Sequence, residues 1–366
     1  MQKILYRDME DYSNADSKQE GNIFDESGSI GGSLAKKFVR VKNKYIRKYI
    51  DILLHEETSY VSNIDKFIKE NYDTLTDELP LQYVSVLLKG RRQYMGLLEN
   101  EVVGSKIANL LKVPTVYNEL VWVGNSIKVM SLDFVKTGTE VTTLENGVYE
   151  ETRDGTIIQH EVGDFNNDFS SWESLIDAQF KGDNLTYNEI AYNSKVDKSL
   201  FDVCLDEKTR QKCKEQLKRD FVAEYLLRTM ILDDADFYPR NVTVIQDKFQ
   251  HKFYLGPAND FELILVPSAN TSERKDFYDR NIRYLMKKYP KETMEFCNHF
   301  KEAFYPQGNL NRDLIEDLIL FNIPYKDTQQ ELISNISTNI QNFDKYFMEN
   351  YYDLKGKPYS ASDRQK

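Results

Sequence analysis

Lys214–Leu232, KEQLKRDFVAEYLLRTMIL, runs directly into Asp233-Asp-Ala-Asp-Phe-Tyr-Pro-Arg-Asn241, and from there through VTVI (Val242–Ile245) and KFYLG (Lys252–Gly256) to Pro257, Asn259 and Asp260. Leu217, Phe221, Val222, Tyr225, Leu226 and Met230 recur at helical spacing, which predicts a buried helix pointing at the acidic loop. The two β-prone runs flank a polar turn with Asp247 and Lys248 and predict a hairpin. The order is therefore helix, acidic loop, hairpin, Asp. Asp236 and Asn241 stand five residues apart in the loop, and the hairpin carries the chain back to Asp260. A carboxylate beside an acceptor hydroxyl, together with hard oxygen ligands for Mg²⁺ on a triphosphate, is the set that phosphoryl transfer from ATP needs. A solvated acidic turn, with Asp260 capping a loop, is the plainer alternative for the same residues.

Working outward toward the N-terminus, IKVMSLDFV (Ile127–Val135) follows VYNELVWV (Val116–Val123) across a Gly124-Asn125 turn, a second predicted hairpin. Before it, apolar residues from Ile64 to Leu111 recur at helical spacing, most clearly Leu97, Val102, Val103, Ile107, Leu110 and Leu111, and the helix stops at Pro114. Further upstream FVRVK (Phe38–Lys42) and YIRKYI (Tyr45–Ile50) flank a short turn and predict a first hairpin. It is preceded by a polar stretch ending in SGSIGGS (Ser27–Ser33). Gly28, Gly31 and Gly32 would let backbone N–H groups approach a phosphate, although such a run also suits a flexible linker. Downstream of Asp260, the chain from residue 272 is helical and amphipathic, with breaks at Pro290, Pro306 and Pro324. Between residues 136 and 196 only a strand pair around Gly147 is legible.

These elements suggest an α+β protein of two lobes, a strand-rich one over 1–135 and a mostly helical one over 136–366 that carries the acidic loop and Asp260. With 40% hydrophobic and 13% aromatic residues the chain has the apolar content to fold. Its formal charge of -11, from 48 Lys plus Arg against 59 Asp plus Glu, argues against a sequence-independent grip on nucleic acid or anionic membrane. Cys204, Cys213 and Cys297 form no CxxC pair and do not cluster with the four histidines, so neither a structural zinc site nor a disulfide scaffold is expected. The acidic N-terminus and the lack of a long apolar run fit a cytoplasmic protein, or one delivered into a host cell.

At the loop, the chain resembles the HipA-like branch of the protein-kinase-like fold, a family of bacterial Ser/Thr kinases. The family's Asn-Asp-Arg-His-x-x-Asn loop is similar to Ala235-Asp236-Phe237-Tyr238-Pro239-Arg240-Asn241, and its Pro-x-x-Asp metal segment to Pro257-Ala258-Asn259-Asp260. ENEVVGSKIANLLKVP (Glu99–Pro114) resembles its Glu-bearing helix, VMSLDF (Val129–Phe134) the strand leading to its hinge, and GSIGG with YIRKY (Tyr45–Tyr49) its Gly-rich loop and lysine strand. The resemblance implies a bilobal fold that binds ATP and Mg²⁺. It gives Asp236 the role of general base and Asn241 and Asp260 the metal. Lys48 would hold phosphates in an ion pair with Glu101, the Gly28–Gly32 loop would cover them, and Leu132 and Phe134 would line the adenine site. Strand alternation puts Arg47 on the face opposite Lys48, and the family register selects Lys48.

The implied activity is transfer of a γ-phosphoryl group to a Ser/Thr hydroxyl of a protein, the chain itself included. The implied partners are that protein substrate and an antitoxin or regulatory protein, with no nucleic acid or membrane. The loop departs from the family: Phe237 and Tyr238 stand where Arg and His brace it, and Ala235 where Asn does. Those replacements favour the alternative of a pseudokinase or nucleotide-binding interaction module. A lipid kinase shares the Asp-x4-Asn spacing, but the acidic surface speaks against membrane work.

Overall fold

Val84, Val86 and Leu88 alternate along YVSVLLKG, the pattern of an extended strand, and Tyr83–Gly90 forms one at the centre of the N-terminal sheet. The structure, a computed structural model, describes residues 2–4, 9–11, 35–42, 83–90, 98–132, 141–143, 149–151, 157–161, 203–234, 237, 242–247, 251–265, 285–286 and 289–345. The architecture is mixed α+β, with small, mainly antiparallel sheets and a helical C-terminal region. Two compact units each draw on three stretches of chain: Met1–Ser105, Pro114–Leu217 and Tyr238–Glu262 in the first, and Lys106–Val113, Lys218–Phe237 and Leu263–Lys366 in the second. The sequence reading drew one boundary at residue 135.

In the first unit, β1 (Gln2–Ile4), β2 (Met9–Asp11), β3 (Ala35–Lys42), β4 (Tyr83–Gly90), β5 (Asn118–Val123) and β6 (Ser126–Leu132) form a sheet in the order β1-β5-β6-β4-β3-β2. Only the β1·β5 pair is parallel. The β5–β6 hairpin turns at Gly124-Asn125 as expected, with Gly124 at φ +59°, the left-handed backbone that a two-residue loop needs at its first position. Helix α1 (Leu98–Leu110) lies between β4 and β5 in the chain, and its Leu98 and Val102 pack on Leu120 and Val129. Because every second residue of a strand shares a face, the register Lys89↔Val129↔Leu120 puts Lys89 on the sheet face that α1 covers, and Leu87↔Ser131↔Asn118 forms the next row.

Two sequence expectations are corrected here. Val39–Val41 of β3 pair with β2 on one side and β4 on the other, so both hydrogen-bonding edges are taken and the proposed hairpin with Tyr45–Ile50 does not form there. Tyr45–Ile50 itself lies outside the described residues. The helical spacing read from Ile64 to Leu111 holds over Leu98–Leu110 and fails over Tyr83–Gly90, which pairs as a strand on both edges; residues 64–82 and 91–97 lie outside the described residues. An apolar run this short does not distinguish helix from strand by period.

Further along, β7 (Val141–Thr143) and β8 (Tyr149–Glu151) form the pair expected around Gly147, and β9 (Ile157–Glu161) joins the hairpin of β10 (Thr243–Asp247) and β11 (Lys252–Leu255) in the order β11-β10-β9. The helix read before the acidic loop is α2 (Glu207–Leu226), continued by one π turn, Leu227–Ile231, in which the Leu232 N–H reaches back to the Leu227 carbonyl at 2.9 Å. In the second unit, Pro290 opens α3 (Pro290–Phe304) rather than breaking a helix, as a residue without an N–H can at a first helical position. α4 (Arg312–Asn322) and α5 (Lys326–Phe343) follow. Phe300 and Phe343 pack edge to face at 4.6 Å, and Asn339 of α5 donates to the Ile231 carbonyl at 3.0 Å, fixing the π turn to the helical core. Among the described residues no helix is long and apolar enough to cross a membrane.

Candidate functional site

Lys89 points from β4 toward α1, and both of its carboxylate partners lie in the first unit. Its ammonium donates to Glu101 Oε1 and, at 3.2 Å, to Asp260 Oδ1. Glu101 is fully buried, the Lys89 side chain is 4% exposed and that of Asp260 is 15% exposed, so Asp260 alone of the three retains an open side. Burial works against the charge on Lys89, but Glu101, Asp260 and Glu262 outweigh it and hold the ammonium above the ordinary lysine range. The lysine is charged at any physiological pH.

The local structure explains why these groups meet. Glu101 falls on the same face of α1 as Leu98 and Val102, and it is held at both ends. Its Oε2 accepts the Phe261 N–H at 3.1 Å, and its backbone carbonyl accepts from Asn118 Nδ2 at 3.1 Å, with Ser131 Oγ in turn donating to Asn118 Oδ1. On the other side, the Pro257–Asp260 segment is laced to the end of the helix connection. Ala258 N–H donates to the Pro114 carbonyl at 2.8 Å, Val116 N–H to the Ala258 carbonyl at 3.0 Å, and Thr115 Oγ1 to the same carbonyl at 3.0 Å. Asp260 itself sits at φ +62°, a left-handed conformation uncommon outside glycine and tolerated by Asp. Asn100 donates to the Glu262 carbonyl at 3.2 Å, so α1 grips Phe261 and the residue after it.

Gly104 permits that approach. A Cβ there would lie 2.5 Å from Cγ of Phe261, whose side chain is fully buried and has no room to swing away. Gly104→Ala is therefore expected to destabilise the protein, although Ala is the better helix former. Overpacking costs about 1–3 kcal/mol, against roughly 1 kcal/mol gained in helix propensity. Urea unfolding should show a lowered midpoint, and a midpoint at or above that of the native chain would refute the close fit.

Glu101, Asp260 and Glu262 can each present an oxygen within 4.8 Å of the others. Three carboxylates around one ammonium leave negative charge, and hard oxygens suit Mg²⁺. The partly open Asp260 is the donor best placed to take such an ion, and the buried Glu101 the one best placed to keep the lysine.

A second charged cluster, in the second unit, precedes Asp236. Arg228, fully buried, donates from Nε to Glu224 Oε1 at 2.8 Å and from Nη1 to Asp234 Oδ2 at 2.5 Å. Burial, with Asp234 and Asp220 adding to it and Arg228 opposing, pushes the Glu224 carboxyl up to about 7. A carboxyl whose folded value lies above its ordinary 4.5 binds more protons folded than unfolded, so this group's contribution to stability falls as pH rises from 4.5 through about 7. Glu224→Gln is expected to flatten that part of the stability–pH curve in denaturant titrations. An unchanged slope would show that Glu224 stays ionised throughout.

Of the residues singled out from sequence, the structure brings Glu101 and Asp260 together on one ammonium and places Leu132 at the end of β6, opposite Val86. Gly28, Gly31, Gly32, Lys48, Phe134, Asp236 and Asn241 lie outside the described residues. The sequence pairs Glu101 with the ammonium of Lys48, which lies outside the described residues; in the structure Glu101 accepts from Lys89, because β4 brings that lysine to the sheet face that α1 covers. Lys89 and Glu262 were missed. A readable signal for Lys89 was the alternating run Val84-Ser-Val-Leu-Leu-Lys89, closed by Gly90 shortly before the Glu101 helix.

No protein-family model matches the chain, and no curated protein does. Among solved structures, it is similar to the Helicobacter pylori proinflammatory kinase CtkA, at 14% identity and a TM-score of 0.39 over 73% of this chain and 85% of that one. It is also similar to HipA of Shewanella oneidensis MR-1, solved with HipB and operator DNA, at 12% identity and a TM-score of 0.39 over 71% of this chain. The match spans 58% of that HipA chain.

Proposed function

We propose that the chain is an ATP-dependent Ser/Thr protein kinase of HipA-like type with a bilobal kinase-like fold, transferring the γ-phosphoryl group to a protein hydroxyl, its own included. The observation that carries this reading is the Lys89 ammonium shared between Glu101 of α1 and Asp260. A strand lysine paired with a helix glutamate, next to a metal-binding aspartate, is the arrangement that protein kinases need in place for catalysis. Asp260-Phe261 further matches the Asp-Phe start of the kinase metal segment, with Glu262 where glycine usually stands.

In this reading Lys89 holds the phosphates and Glu101 keeps the lysine aimed. Asp260 and Asn241 hold Mg²⁺, which neutralises the charge on the phosphates when bound. Asp236 accepts the proton of the attacking hydroxyl, the Gly28–Gly32 loop covers the phosphates, and Leu132 to Phe134 face the adenine. The acceptor is a protein with a Ser or Thr, and an antitoxin-like or regulatory protein is the expected partner. The burial of Phe237 against Tyr225, at 5.9 Å and edge to face, favours a second reading, a nucleotide-binding pseudokinase, since the loop has no Arg-His after Asp236.

Incubation of the purified chain with labelled ATP and Mg²⁺ separates the two. Autophosphorylation with a rise in melting temperature supports the kinase, a rise alone supports the pseudokinase, and neither response rejects both.

A further inference from the structure

Helix α4, Arg312–Asn322, has two unlike sides. Ile315 and Ile319 are 2% and 0% exposed and form its inner side, and the helix packs against α5. Asp313, Asp317 and Phe321 follow one another at i,i+4, Glu316 and Leu320 do the same beside them, and all five are exposed on the side opposite the two isoleucines. The carboxylates occupy the earlier turns. Leu320, 51% exposed, and Phe321, 93% exposed, take the last turn, and the chain continues through the exposed Pro324 to Tyr325, which is 41% exposed. That connection is fixed from below: Ile323 is buried, its carbonyl accepts from Gln329 Nε2 at 2.5 Å, and the Tyr325 carbonyl accepts the Gln329 N–H at 2.9 Å.

We propose that the outer side of α4, with the Pro324-Tyr325 turn, docks a basic amphipathic helix of a partner protein, whose Lys and Arg meet Asp313, Glu316 and Asp317 and whose apolar side chains close over Leu320 and Phe321. One apolar side chain on a surface needs no explanation, but here four lie within residues 320–325, at the end of a row of carboxylates. The helix dipole accounts for Asp313 in the first turn and not for Glu316 or Asp317 beyond it. Among the described residues none of the three forms an ion pair, not even Glu316 with Arg312 four residues before it. Cations are therefore what this side lacks, and an aromatic anchor beside them is what interfaces favour. A stripe at i,i+4 spacing, along a helix of about 16 Å, matches a partner helix that repeats its own residues at the same spacing. A second copy of α4 fits poorly: laid parallel, carboxylates would oppose carboxylates, and laid antiparallel they would oppose Phe321. An anionic membrane would repel them. No residue of this side belongs to the Lys89 cluster, so docking here is independent of the kinase reading.

The test titrates the full chain with a fluorescent synthetic amphipathic helix of Leu and Lys, and with its Leu and Glu counterpart, and reads anisotropy. The Lys peptide is expected to bind and the Glu peptide not to. Phe321→Ser leaves the net charge unchanged and, at so exposed a position, the melting temperature too, yet it should weaken the Lys peptide by ~10- to 100-fold. The triple variant Asp313→Asn/Glu316→Gln/Asp317→Asn should weaken it as well and flatten its dependence on salt. Amide exchange on the native chain should slow in α4 when the Lys peptide is present. Undiminished binding in Phe321→Ser would show that the peptide merely follows the charge of -11, and the docking surface would be overturned. Failure of the native chain to bind the Lys peptide would overturn it equally. Sedimentation equilibrium and phosphatidylserine vesicles cover the other occupants: a dimer, or vesicle binding, that Phe321→Ser abolishes would give this side to a second copy or to a membrane and reject the basic partner. ATP enters none of these measurements, so their outcome and that of the phosphotransfer assay are separate.

Discussion

Lys89→Met is expected to abolish the Mg²⁺-ATP-dependent rise in melting temperature and to bring phosphotransfer below detection, while Lys48→Ala leaves both near native. Lys89 is the ammonium that Glu101 and Asp260 share, and no aliphatic side chain can carry phosphate charge in its place. The substitution also strands Glu101 in a dry site without its cation, which typically costs about 3–5 kcal/mol. Lost stability and lost binding must therefore be separated. The double variant Lys89→Met/Glu101→Gln removes the stranded charge as well, and a neutral pair of similar volume is tolerated far better than a broken ion pair. It should recover most of the apo stability and none of the response to ATP. A native-like ATP response in Lys89→Met, together with its loss in Lys48→Ala, would return the phosphate-binding role to the Tyr45–Ile50 segment.

The sequence shows unequal parts of this arrangement, for identifiable reasons. Asp260 was legible because Pro257 and the β10–β11 hairpin punctuate the chain just before it, and Glu101 because α1 runs unbroken from Leu98 to Leu110, shortly before Pro114. Lys89 was hidden because its meaning depends on pairing β4 with β3 and β6, strands far away in the chain, and periodicity within one segment does not name a partner. The same limit misassigned β3, whose partners are β2 and β4 rather than the next β-prone run. Arg228 was passed over for another reason. The apolar residues of α2 suggest one buried face, whereas Glu224 and, in the π turn, Arg228 are buried too, so from Asp220 onward the helix is covered nearly all round. Their i,i+4 spacing was the readable sign that they could be buried as a pair.

The second large effect separates Asp236 from Asp260, whose assigned roles differ in when they act. A general base is needed only as the hydroxyl attacks. Asp236→Asn is therefore expected to bind Mg²⁺-ATP like the native chain and to lose turnover by about 10²–10⁴, the usual range for missing acid–base help. Asp260 in the proposed kinase would instead hold the metal before any transfer, and it pairs with Lys89 without nucleotide, so Asp260→Asn should impair Mg²⁺-dependent binding and turnover together. Asn241→Ala should act in the same direction more mildly, because a neutral amide oxygen contributes less to a divalent ion than a carboxylate does. Calorimetric ATP titrations with and without Mg²⁺, beside single-turnover rates, measure both quantities on each variant. Asp260→Asn carries a further signature: Lys89 loses one of its two hydrogen-bonded carboxylates and keeps Glu101, so ATP binding without Mg²⁺ should fall far less than binding with it. Were Asp236→Asn to abolish binding while Asp260→Asn spared it, the two roles would be reversed. Equal loss of binding with and without metal in Asp260→Asn would make Asp260 a structural partner of Lys89 alone, and the Mg²⁺ would then need its carboxylate from elsewhere, with Glu262 the next oxygen donor within reach.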